Sequence, residues 1–133
     1  MKLEFLNDVS DGGKFPQVVT DQLIRLYDFD SLQADALRQE ITSVIIQRGE
    51  DLKLSQLKFI EHFNCDLTLH LSDTDTGIIA VDEADFICDL TKGGYENMVN
   101  LLEPFCVEAE AGHQWLYEID TPIDFLFSPD GTW

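Results

Sequence analysis

The spacing of hydrophobic residues changes several times along the chain, and each change predicts an element. Leu3 and Phe5 alternate imperfectly with Lys2, Glu4 and Leu6, giving a short first strand. Asp11-Gly12-Gly13 and Pro16 are turn chemistry, and Val18 to Phe29 then reads as a second strand, clearest at its Leu23–Phe29 end. The intervening loop is long enough for these two strands to pair as a hairpin. Ala34, Leu37, Ile41, Val44 and Ile45 recur at helical spacing behind a cap at Asp30 or Ser31, and Gly49 is a suitable stop.

Leu52, Leu54 and Leu57 mark an extended arm, and Phe59 to Phe63 fits no single period. Cys65, Leu67, Leu69 and Leu71 alternate cleanly with Asp66, Thr68, His70 and Ser72, as in a strand with one buried face. Asp73-Thr74-Asp75-Thr76-Gly77 supplies a turn, after which Ile78–Val81 and Phe86–Leu90 are expected as a bulged return strand. On that register Cys65 and Cys88 are cross-strand neighbours. Tyr95, Met98, Val99 and Leu102 form the stripe of a second helix beginning after Gly93-Gly94 and ending or kinking at Pro104. Trp115, Tyr117 and Ile119, then Ile123, Phe125 and Phe127, predict two late strands whose aromatics are mostly core. Ser128-Pro129-Asp130-Gly131 suits a type I turn. The expected architecture is one α+β domain over residues 1–133, with a single, largely antiparallel sheet of about 5–7 strands. Two helices are expected to pack on one face of that sheet.

Charge alters this picture. The 133 residues carry 26 acids and 8 Lys or Arg, a net charge of −18. Residues 1–60 have a net charge of −3, whereas residues 61–133 hold 16 acids and the single base Lys92, for −15. Nucleic-acid binding through a basic surface is excluded by this balance. No apolar run approaches the roughly 20 residues needed to span a bilayer. The opening residues have neither the apolar stretch nor the cleavage site of a secretory signal, and the three cysteines form no close pair. A reduced cytoplasmic setting is expected.

Several short motifs invite chemistry. Asp73-Thr74-Asp75-Thr76 resembles the opening motif of haloacid dehalogenase-type phosphatases, which implies Asp73 as nucleophile and Asp75 as acid. Asp120 and Asp124 are the late carboxylates available as further metal ligands. That family needs a parallel sheet and a long following tract, whereas 56 residues follow Gly77, so an acidic turn is the preferred reading. Asp75-Thr76-Gly77 resembles the aspartic-protease triplet, but polar residues precede it. An EF-hand beginning at Asp73 fails because Ile78 stands where glycine is required and Ala84 where glutamate is required. Asp82-Glu83-Ala84-Asp85 spells a helicase box, but the chain has no phosphate-binding loop to accompany it. His62 and Cys65 have zinc-ligand spacing without a second close pair. Cys65 and Cys88 read as small core residues, and His70 as a solvated sheet histidine.

The expected function is therefore a non-enzymatic interaction module of inhibitor, immunity or adaptor type. Its acidic half engages a basic protein partner, with His113, Trp115 and Trp133 as contact residues and no cofactor. The alternative is a small metal-assisted phosphohydrolase using Asp73 and Asp75 for catalysis and Asp73, Asp75, Asp120 and Asp124 for metal binding.

Overall fold

A computed structural model describes residues 1–7, 22–108, 112–117 and 123–131. The chain is α+β, with two helices and two mixed sheets, rather than one largely antiparallel sheet. The first sheet has five strands: β1 (Lys2–Leu6), β2 (Leu23–Tyr27), β4 (Glu61–His62), β8 (Gln114–Tyr117) and β9 (Asp124–Ser128), in the order β4-β1-β2-β9-β8. The second has four: β3 (Leu52–Lys53), β5 (Asp66–Leu71), β6 (Gly77–Ala80) and β7 (Asp85–Leu90), in the order β3-β5-β7-β6.

The expected β1–β2 hairpin forms, with Leu3 opposite Leu26. The β1–β4, β2–β9 and β5–β7 pairs are all parallel. The return after the Asp73–Gly77 turn also differs from expectation. β6 does not pair with β5; β7 inserts between them, parallel to β5 and antiparallel to β6. Leu69 is therefore opposite Cys88, and Cys65 lies before β5, so the two thiols are not cross-strand neighbours. Alternation fixes which face of a strand is buried but carries no information about its neighbour.

The first helical element begins at α1 (Ser31–Glu40), with a reciprocal capping box. Asp30 Oδ1 accepts from the Gln33 amide at 2.8 Å while the Asp30 amide donates to Gln33 Oε1 at 3.2 Å. It continues without a break as a π-helical segment, Ile41–Gln47, and Gly49 follows at φ +66°. The widened turn still buries Ile41, Val44 and Ile45. The second helix, α2 (Lys92–Val107), is capped by Thr91, so Gly93 and Gly94 lie inside its first turn rather than before it. Pro104 does not end it. Phe105 is buried edge-on against Phe29 and Phe127, and this aromatic contact holds the last turn in place beyond the proline.

Both sheets and both helices close on one core. Leu3, Ile24, Leu26, Phe125 and Phe127 come from the first sheet, and Leu67, Leu69, Phe86, Cys88 and Leu90 from the second. Phe5 lies against Phe86 with ring centroids 4.8 Å apart, and an Ile78–Ile123 bridge joins the sheets. Every residue of β9 is buried, as befits a strand covered on both faces. Trp115 departs from the core expectation: it is half-buried and packs beside Leu23 and Leu126 on the other face of the first sheet. A register shift in β8 and the inward turn of Leu116 account for this. No described helix is long and apolar enough to cross a membrane.

Candidate functional site: a carboxylate cleft and an acidic sheet face

Two surface features carry chemistry. The first is a cleft of about 430 Å³ where the β5–β6 turn, the start of α2 and β8 meet. Asp75, Thr91, Gly94, Leu101, Trp115 and Tyr117 are among its lining residues. Asp75 Oδ1 accepts from the Thr91 amide at 2.8 Å and the Thr91 hydroxyl at 3.0 Å, and the Tyr117 hydroxyl donates to the Asp75 carbonyl at 2.9 Å. A carboxylate from a neighbouring turn thus occupies the amide-rich end of α2, whose own first turn contains no acid. Gly77 at φ +84° lets the chain turn directly from this loop into β6.

The second feature is the face of the four-stranded sheet opposite the buried Leu67, Phe86 and Cys88. Register places Thr68 beside Ile87, Ile87 beside Ile79, and His70 beside Asp89 on this face. Ile79 is 38% exposed and Val81, just beyond it, 59%. Acids bracket these apolar residues at both ends of the sheet: Asp73 and Asp75 on one turn, and Asp82, Glu83 and Asp85 on the β6–β7 hairpin. Asp82 Oδ1 accepts from the Ala84 and Asp85 amides, both at 3.0 Å, and these bonds hold its carboxyl below the usual aspartate range. The Asp82 charge in turn pushes Asp85 upward. Asp89 is half-buried, and its Oδ1 is fully enclosed with no hydrogen-bond partner among the described residues. His70 Nδ1 lies 2.6 Å from Asp51 Oδ1, and this hydrogen bond raises the His70 pKa above its ordinary value.

The ion pairs explain why this acidity is not cancelled. Lys2 pairs with Asp28, Arg25 with Glu4, Arg38 with Asp35 and Arg48 with Glu50, all within the opening sixty residues. Lys53 reaches into the acidic half, 3.6 Å from buried Asp66, which also accepts from the Ser55 hydroxyl at 2.6 Å.

Of the residues singled out from the sequence, Asp75 and Trp115 meet at the cleft. His113 is exposed and stands edge-on to Trp115, with ring centroids 6.2 Å apart. Asp73 is exposed on the same turn as Asp75, whereas Asp124 is buried on β9. No three His, Cys, Asp or Glu side chains converge on a metal position among the described residues. Asp120 and Trp133 lie outside the described residues. Cys65 and Cys88 are buried, and desolvation pushes each thiol up to about 12, far from thiolate reactivity. Tyr117 belongs to the late aromatic cluster that the sequence makes conspicuous, whereas Thr91, Gly94, Ile79, Ile87 and Asp89 carry no site signal in the sequence beyond the alternation of β7 for the last two. No family model, curated protein or solved structure matches the chain.

Proposed function

We propose that this protein is a non-enzymatic interaction module that docks a basic segment of a protein partner on the open face of its four-stranded sheet. One observation carries the reading: four of the seven bases of residues 1–60 pair with acids of that same segment and Lys53 reaches Asp66, so the acids around exposed Ile79 and Val81 outnumber the bases beside them. Long-range attraction brings the cationic partner in, and Ile79, Ile87 and Val81 give its apolar side chains a place to desolvate. The inhibitor, immunity or adaptor role expected from composition belongs to this reading. A reducing, cytoplasmic setting goes with it, since all three cysteines are free thiols.

The test uses two short amphipathic peptides of identical apolar pattern, one with lysines and one with glutamines at the polar positions. Fluorescence anisotropy should show saturable binding of the lysine peptide, weakened severalfold by Ile79→Ser with Val81→Ser. Equal affinity for the two peptides removes the electrostatic basis, and indifference to the double substitution removes the sheet face.

A further inference from the structure

The geometry points to the cleft beside α2 as a receptor for a guanidinium group, supplied by an arginine of the basic partner. Only the source of that group rests on the docking role proposed above; the chemistry of the cleft stands on its own residues. Asp75 is fixed before anything binds. Its Oδ1 is held by two hydrogen bonds from Thr91, its carbonyl by Tyr117, and its position by Gly94, where a Cβ would come within 2.7 Å of Oδ1. Among the described residues the hydrogen bonds to the carboxylate fall on Oδ1, which leaves Oδ2 as the acceptor. A carboxylate already immobilised loses little further freedom on binding.

Trp115 and Tyr117 are among the residues lining the same cleft, the Tyr117 hydroxyl reaching the Asp75 carbonyl, and its volume of about 430 Å³ falls within the ~300–1,000 Å³ typical of ligand pockets. Carboxylate plus aromatic face is the recognition set for a planar cation. The protein uses this set internally: Arg25 is held by Glu4, donates to the Gly131 carbonyl at 2.7 Å, and lies 4.1 Å from the centroid of the Tyr27 ring. The start of α2 pulls the other way, since a helix N-terminus favours anions. Asp75 already fills that role on the Thr91 amide, and a second anion would meet both its charge and the net −18 of the chain. A cation is therefore favoured.

The test titrates the labelled chain with propylguanidine and with neutral, nearly isosteric propylurea, reading the Trp115 indole and the Gly93 and Gly94 amide resonances by NMR. Propylguanidine should shift them saturably and propylurea should not. Asp75→Asn, which keeps the acceptor for Thr91, should weaken propylguanidine by about tenfold, the value of a charge-assisted hydrogen bond. Equal shifts from both probes, or unchanged affinity in Asp75→Asn, overturn the proposal. An arginine-containing tripeptide binding more tightly than propylguanidine, with its citrulline analogue inactive, supports a partner's side chain as the source. A tripeptide no tighter than propylguanidine overturns that source. Failure of lysine-peptide docking on the sheet leaves the propylguanidine result untouched, so the two readings fail separately.

Discussion

Gly94 cannot carry a side chain without displacing Asp75: a Cβ there would lie 2.7 Å from Asp75 Oδ1 and 3.0 Å from Leu90 Cβ. The neighbouring Gly93 has its nearest such contact at 3.8 Å, from Thr91 Oγ1. Two adjacent glycines in one helical turn therefore have opposite expectations. Gly93→Ala should stabilise the chain by about 0.5–1 kcal/mol through helix propensity alone. Gly94→Ala makes the same propensity gain but meets an overpacking cost of about 1–3 kcal/mol and disturbs Asp75, for a net loss. Urea denaturation of the two variants checks this, and equal effects would mean that Asp75 yields freely.

His70 should titrate above about 6.5, its ordinary value, because Asp51 accepts its hydrogen bond in the folded state. A folded-state pKa raised in this way adds stability that is complete below the unfolded value and disappears as pH rises through the folded one. The stability difference between the wild type and His70→Gln should therefore be largest at mildly acid pH and shrink toward neutrality and above. Both side chains are about half exposed, so the effect is screened and small. An NMR titration placing the His70 imidazole at or below 6.5 would contradict the assignment, as would Asp51→Asn leaving it unmoved.

Asp89 lies on the proposed docking face at a cost in stability. Its enclosed Oδ1 has no donor among the described residues, which costs roughly 1–3 kcal/mol. Asp89→Thr, which also suits a strand, should raise the melting temperature while weakening the lysine peptide. If it lowers stability, Asp89 has a structural role and its place on the docking face loses this support.

How much of this is legible from sequence alone depends on what periodicity encodes. Leu67, Leu69 and Leu71 against Thr68 and His70 define β5 and its faces, and Asp30 with Gln33 defines the start of α1. The insertion of β7 between β5 and β6 is not encoded that way, because Ile78–Val81 shows the same β character whichever strand it joins. Gly93-Gly94 reads as a break because glycine disfavours helices; the close approach of Asp75, which requires Gly94, is a tertiary fact. Pro104 similarly reads as an end or a kink, and that the helix runs on past it is visible only once Phe105 is seen packed against Phe29 and Phe127. Asp75 and Trp115 are separately conspicuous, but their meeting across 40 residues at one cleft is visible only in three dimensions.

The central claim is that the acids around Ile79 and Val81, which outnumber the bases beside them, draw a basic segment onto the open sheet face. Its most direct test is an amide NMR map of the labelled chain titrated with the lysine peptide as ionic strength rises from about 0.01 M to about 0.3 M, which shortens the screening length several-fold. Perturbations concentrated at Thr68, His70, Ile79 and Ile87, with affinity falling steeply as salt is added, are the predicted result. Shifts spread evenly over both sheets and α2, or an affinity that ignores salt, would contradict it.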